Sequence, residues 1–240
     1  MQELRSKLSE NLLLNSMPPG LQRRLERDLT EVHLKTQQVL LEAGSEAKDV
    51  YFPTTSVLSL VSQVADGQSV ATAVVGHEGM VGLSLFLSAA NLRTIVQIDG
   101  QALKMPASTF LGYLDDPDFR RLIGGCWETV LASACQSAAC QAFHTAEQRL
   151  ARWLLTIRDR VTVDELPLTQ DFLASMLGVY RPTVTVAARI LQAAELIRYR
   201  YGKVTVVDRQ GLEEAACECY LVMSNGFGPN ATSVIEGKLV

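Results

Sequence analysis

The chain has 240 residues, 48% of them apolar and 20% charged, with a formal net charge of −4. That balance belongs to a globular protein long enough for two small domains. It excludes a membrane span, because no window reaches the roughly 18 uninterrupted apolar residues that one needs. The first segment, MQELRSKLSENLLLNSMPPG, mixes charges into its apolar stretch and lacks the continuous apolar region of a signal peptide. The expected location is the cytoplasm, with no membrane partner.

A short helix is expected at residues 20–28, after Met17-Pro18-Pro19. Residues 32–105 read as strands. VHLKTQQVLLEAG, DVYFPTTSVLSLVSQV, QSVATAVVG and TIVQIDGQALKMP are rich in Val, Ile, Leu and Thr. Turn signals separate them at Ala43-Gly44-Ser45, Asp66-Gly67 and Asp99-Gly100. Asp-Gly between two apolar runs is a strong hairpin signal. Short, evenly spaced strands predict an antiparallel roll of the jelly-roll type, in an N-terminal domain over 12–116.

The period then changes. A short helix is predicted at 106–114 and a long one from 118 to about 143, within a segment assigned to 117–144. Ile123, Trp127, Val130, Ala134, Ser137 and Gln141 recur at the spacing of a coiled-coil seam. The small residues around Ala132–Cys135 and Ser137–Cys140 allow close approach of a second helix backbone. The simplest partner is a second copy, giving a homodimer with Ile123, Trp127, Val130 and Ala134 on its seam. The other reading packs that stripe on the chain's own roll.

Further helices are expected at 146–160, 169–177, 181–194 and 211–220, with a hairpin between the last two turning at Tyr201-Gly202-Lys203. A third domain is placed at 145–212. Residues 213–240 are read as a terminal helix and a loose tail without assigned role.

The five cysteines, Cys126, Cys135, Cys140, Cys217 and Cys219, are odd in number and form no C-x-x-C pair. They read as small apolar residues, not a disulfide framework. Cys217 and Cys219 have no further ligand close in sequence, so no metal site is expected.

The informative stretch is LTQDFLASMLGVYRPTVTVAARILQAAELI. Thr169 suits the N-cap of a helix that turns Phe172, Leu173, Met176 and Leu177 inward. Gly178 tolerates the left-handed conformation that ends it. Val179 locks the turn, and Pro182 sits in the first turn of the next helix, where a missing N–H costs nothing. Val184, Ala187, Ala188, Ile190 and Leu191 are expected inward. Two short helices around a tight turn form a helix-turn-helix, and the following hairpin forms a wing. The start of the second helix would enter a major groove, presenting Tyr180, Arg181, Thr183, Thr185 and Arg189. Thr169 and Gln170 are placed at phosphate, with Arg200 and Lys203 on the wing. Charge supports this, because residues 181–209 hold six Arg or Lys against two acids.

The pieces NLLLNSMP (11–18), VLLEAGSEAKDVYFP (39–53), GHEGMVGLSLFL (76–87), EQRLARWLL (147–155) and TQDFLASMLGVYRPTV (169–184) stand in the order and spacing of one family. The chain resembles the Crp/Fnr transcription regulators over nearly its full length. The resemblance implies a cyclic-nucleotide-binding-like β-roll sensor, a long dimerisation helix and a C-terminal winged helix on a two-fold symmetric duplex operator. RNA polymerase is a further candidate partner. It also places an effector pocket at Gly79, Met80, Gly82, Arg93 and Thr94.

The departures are informative. Family members that bind cyclic AMP hold its ribose with a Gly-Glu pair. Here Gly79-Met80 stands there, and a thioether is no substitute for a carboxylate acceptor. Arg93-Thr94 resembles the family's phosphate-binding pair, after a longer loop. Cyclic AMP is therefore disfavoured, and the effector is an unidentified small molecule. No iron–sulfur cluster is expected, since the family's version uses an N-terminal cysteine cluster and no cysteine precedes Cys126. His33 and His77 read as surface or turn residues, not haem ligands. Of the family's Arg-Glu-x-x-x-Arg reading set only Arg181 remains, with Pro182 and Val186 at the other two positions, so a different operator is expected.

The expected function is sequence-specific transcription regulation, with the sensor modulating operator affinity. The alternative is a cyclic-nucleotide or other small-ligand binding module whose helix-turn-helix serves protein contacts. An enzyme is not expected, because the roll offers neither a His-x-His metal set nor a nucleophile with its base.

Overall fold

The computed structural model describes residues 7–82 and 92–225. Two short helices, α1 (Leu12–Asn15) and α2 (Pro19–Asp28), lead into seven strands. These are β1 (Thr30–Leu34), β2 (Val39–Leu41), β3 (Asp49–Pro53), β4 (Val57–Gln63), β5 (Ser69–Val75), β6 (Leu92–Ile98) and β7 (Gly100–Pro106). They pair antiparallel as two sheets, in the orders β1-β7-β3 and β2-β6-β4-β5.

Asp66-Gly67 turns a true hairpin between β4 and β5, and Gly67 has a φ of 88°. Asp99-Gly100 does not. It joins β6 to β7, which belong to different sheets, so this Asp-Gly carries the chain from one layer of the roll to the other. A Cβ on Gly100 would lie 2.7 Å from the backbone of Thr55 and Ser56. Glycine is needed there for close backbone approach, a demand that a two-residue motif cannot distinguish from a hairpin turn.

Next come α3 (Ala107–Tyr113) and the long α4 (Pro117–Phe143). The Asp116 carboxylate caps α4 by accepting from the N–H groups of Asp118 and Phe119. The helix ends at His144, whose backbone is extended, and Thr145 immediately caps α5 (Ala146–Arg158) through a capping box with Gln148. The seam expectation changes on α4. Ile123 (2% exposed) and Val130 (6%) are buried among the chain's own roll residues, while Trp127 packs partly against the same core. They supply the core of one chain. The face left open carries Gly125, Glu128, Leu131, Ala132, Ala138 and Ala142. A helix rich in small residues has two usable stripes, and only docking on the roll shows which is spent.

The third region contains β8 (Glu165–Pro167), α6 (Gln170–Leu177), α7 (Arg181–Ala193), β9 (Ile197–Arg200), β10 (Lys203–Val206) and α8 (Arg209–Ala215). Its strands pair in the order β8-β10-β9. A final helix, α9 (Cys219–Asn225), is separated from α8 at Ala216–Glu218, where one continuous helix was expected. At the break the Ala216 backbone is extended, and the Tyr220 hydroxyl lies just beyond it. The hydroxyl receives a hydrogen bond from Arg209 and donates to Asp159, folding α9 back towards α5. Burial and this acceptor push the Tyr220 hydroxyl up to about 12. The tail at 226–240 lies outside the described residues.

The largest apolar cluster crosses the regions. It joins Val57, Val61, Ala71, Val74, Ile95 and Ile98 of the roll to Trp153, Leu154, Leu173, Leu177 and Leu191 of the C-terminal part. Among the described residues, no helix is long and apolar enough to cross a membrane.

Candidate nucleic-acid interface

Local sequence builds the C-terminal unit. Thr169 Oγ1 accepts from the N–H of Phe172 at 3.2 Å and opens α6. Phe172, Leu173, Met176 and Leu177 face inward. Gly178 ends the helix in the left-handed region, with φ 62° and ψ 43°. Tyr180 caps α7, and Pro182 occupies its first turn. Val184, Ala187, Ala188 and Leu191 form the buried face. Ile190 was expected inward, yet it is 47% exposed. It and Val186 (53% exposed) extend the open face of α7.

That open face carries Tyr180, Arg181, Thr183 and Arg189. Arg181 has only a loose partner in Asp171, at 3.5 Å, and both side chains are more than half exposed. Thr185 and Gln170 are half-buried and bonded to each other at 2.8 Å, which ties α7 to the start of α6. The wing turns at Tyr201 (φ 52°) and Gly202 (φ 73°), the two positive φ values of a type I′ hairpin. A Cβ on Gly202 would stand 3.5 Å from Thr169, so the wing tip meets the start of α6. Lys203 pairs with Glu165 at 2.8 Å. Among the described ion pairs none uses Arg189, Arg198 or Arg200. Thr169 lies by the wing tip, Gln170 by Thr185 and Arg181 by Asp171, while the Tyr180 hydroxyl accepts from Gln68 of the roll at 3.2 Å.

The pocket residues do not all gather at one site. Gly82 and Thr94 line a cavity of about 10 Å³ with Leu40, Leu41, Ala47, Asp49, Tyr51 and Val81. One water needs about that much room. Met80 is elsewhere, 2% exposed in the cluster with Phe52, Met105 and Phe110. Gly79 packs close to Val75 and Cys126. Arg93 is ion-paired to Glu42 at 2.9 Å. His33 is exposed on β1 and His77 is half-buried in the turn after β5.

The border between the two parts is polar as well as apolar. Glu78 and Arg160 form an ion pair at 2.8 Å with side chains only 7% and 6% exposed. Arg160 also donates to the Thr156 carbonyl at 2.7 Å, and Glu78 accepts from the Gly76 N–H at 3.0 Å. Nearby, the Leu177 carbonyl accepts from both Gln141 (3.0 Å) and Arg149 (3.1 Å). The last turn of α6 is therefore held by α4 and α5 and also bridges to Val70 of β5.

A second polar cluster corrects the expectation of no metal site. The ligand atoms of Cys140, His144, Cys217 and Cys219 all lie within 4.8 Å of one another. Cys217 is 3.5 Å from Cys140, and Cys219 is 3.5 Å from His144 Nδ1. The hydrogen bond to Cys217, helped by the Arg152 charge, holds the Cys140 thiol down to about 5 despite burial. The same contact, reinforced by burial, pushes Cys217 up. The missing ligands for Cys217-x-Cys219 were far away in sequence, at the end of α4. A signal was present in Cys140-x-x-x-His144, one helical turn apart. This set lies outside the N-terminus, so the lack of N-terminal cysteines does not exclude iron–sulfur ligation by it.

Two family models match the chain. Residues 31–116 match the cyclic nucleotide-binding domain, and residues 148–215 match the Crp-like helix-turn-helix domain. No curated protein sequence matches significantly. Solved structures share the fold. One is a putative transcriptional regulator of the Crp/Fnr family from Eubacterium rectale, at 17% identity and TM-score 0.68, covering 86% of this chain and 98% of that one. FixK2 from Bradyrhizobium japonicum aligns at 19% identity and TM-score 0.67, covering 79% and 98%. The Crp/Fnr-family regulator TTHA1359 from Thermus thermophilus aligns at 22% identity and TM-score 0.65, covering 78% and 98%.

Proposed function

We propose that this chain, which belongs to the Crp/Fnr family of transcription regulators, binds a two-fold symmetric DNA operator as a homodimer in the cytoplasm and acts as a regulator, not as an enzyme. The observation that carries this reading is the open N-terminal half of α7, with Arg181 and Thr183 exposed beside a wing whose Arg200 has no acidic partner among the described ion pairs. Arg181 suits a guanine edge, and its planar fork donates two parallel hydrogen bonds. Val186 and Ile190 offer apolar contact to thymine methyls where the family's second Arg would stand. Thr169, Gln170, Arg189, Arg200 and Lys203 serve the phosphates, with Gln170 and Thr185 bracing the two helices against each other.

Dimerisation uses the open stripe of α4, where small side chains permit close helix approach and Leu131 is 65% exposed. Each half-site then receives one α7, and RNA polymerase is a further candidate partner. Cyclic AMP is disfavoured as the effector. Met80 lies in the core, Arg93 is neutralised by Glu42, and the described pocket walls leave room for about one water. Regulation acts by population shift at the border of roll and winged unit, where Glu78, Arg160 and Leu177 connect them.

Selection of bound sites from random duplex DNA tests the reading. We expect an inverted repeat with half-sites about one helical turn apart, and an affinity that falls steeply with salt. Recovery of no enriched sequence, or a salt-independent association, would overturn it.

A further inference from the structure

We propose that Cys140, His144, Cys217 and Cys219 form a tetrahedral Cys3His site for a single zinc-class divalent ion, which clamps the C-terminal α8–α9 segment to the end of the long helix α4.

The spacing fits one ion. Zinc bonds of about 2.3 Å to sulfur and about 2.0 Å to nitrogen, at tetrahedral angles, set ligand atoms roughly 3.5–3.8 Å apart. The observed contacts are 3.5 Å for Cys140–Cys217 and 3.5 Å for Cys219–His144, and no pair exceeds 4.8 Å. A cluster of two or four irons spreads its terminal ligands over several metal atoms and needs a wider frame.

The heavy-atom geometry suits the metal-binding tautomer of the imidazole. His144 Nε2 lies 3.1 Å from a Glu218 carboxylate oxygen. An ionised carboxylate only accepts, so Nε2 carries the proton. Nδ1 is left with its lone pair towards the thiols, 3.5 Å from Cys219. A carboxylate behind a metal-binding histidine is the usual arrangement for fixing the ring. Gln136 donates to the Cys219 sulfur at 3.0 Å, as a thiolate ligand needs.

Charge supplies an independent argument. Arg149 and Arg152 are 9% and 5% exposed, and no described ion pair gives either of them a carboxylate. Their hydrogen bonds go to the Leu177 carbonyl and the Met223 sulfur. Two buried cations with no carboxylate in direct contact are costly, and Glu147 acts on Arg149 only from a distance. Three thiolates around one divalent ion carry a net charge of −1, which offsets part of that positive charge. Binding releases the thiol protons to solvent and leaves the sulfurs unoxidised. The three cysteines are 0–3% exposed, so the site is closed, as structural zinc sites are.

The test uses the full chain, purified under reductant without chelator, with zinc counted by mass spectrometry. We expect about one zinc per chain. Exchange for Co²⁺ should give thiolate-to-cobalt charge transfer in the near ultraviolet and the strong visible bands of a tetrahedral ion. Cys219→Ser and His144→Ala should each lower the zinc count at least about tenfold, while Cys126→Ala leaves it unchanged. Should a ligand variant fail to fold, the unaltered chain decides alone. Absence of the charge-transfer band on Co²⁺ titration overturns the proposal. So does a Cys140–Cys217 disulfide that persists under reductant with no metal bound. Assembly of an iron–sulfur cluster from ferrous iron and sulfide under anaerobic conditions, in preference to zinc, overturns the single-ion assignment. None of these readouts depends on DNA, so they stand or fall apart from the operator reading.

Discussion

The roll and the winged unit treat their polar groups in opposite ways. In the winged unit, Arg181, Thr183, Arg189 and Arg200 project outward from a scaffold whose apolar side is fully used. In the roll, several of the described residues expected at an effector pocket are engaged by the fold itself. Met80 is core, Arg93 is paired, and Gly82 and Thr94 close on a cavity of about 10 Å³. A reader of DNA must keep its donors free for a partner. The roll also contacts the winged unit, and those contacts include an ion pair almost removed from water.

That contrast can be tested, beginning where the largest effect is expected. Glu78→Gln removes one nearly buried carboxylate from the Arg160 network, so unfolding free energy should fall by about 3 kcal/mol. Urea denaturation at constant m-value measures it. A loss below about 1 kcal/mol would mean that water already reaches the border. Next, the two stripes of α4 should separate. Ile123→Ala should cost about 2–5 kcal/mol of stability, as a cavity in the roll core. Leu131→Glu should leave the monomer's stability within about 0.5 kcal/mol and weaken self-association at least tenfold by analytical ultracentrifugation. The reverse pattern would return the seam to Ile123, Trp127 and Val130.

Arg181→Ala should weaken specific binding by about 1–3 kcal/mol and relax preference at one base pair per half-site, read by competition between operator variants. Equal losses on all sequences would move Arg181 to phosphate. The smallest effect is expected from Arg200→Ala. It should lower affinity uniformly and reduce the salt slope by about one. An unchanged slope would remove the wing from the interface.

Much of this was legible locally. Thr169, Gly178 and Pro182 are cap, stop and start residues whose roles depend on neighbours a few positions away, and they appear as read. Asp66-Gly67 is equally local. Asp99-Gly100 shows the limit, since the same two residues serve a different junction when the next strand pairs elsewhere. Ile190 shows another. Its position satisfies the helical period, but the period leaves the width of the buried stripe open.

The sequence by itself determined the elements, the helix-turn-helix and its wing, and the family, because caps, periods and turns are short-range and survive in the order of residues along the chain. Tertiary structure alone decided which stripe of α4 is spent on the roll, that Met80 is packing, and that Glu78 meets Arg160. It also brought Cys140 to Cys217, 77 residues apart. The physical reason is common to all four. Each depends on which surfaces meet after the chain has folded back on itself. Small residues, thiols and buried charges carry no local pattern that states their partner.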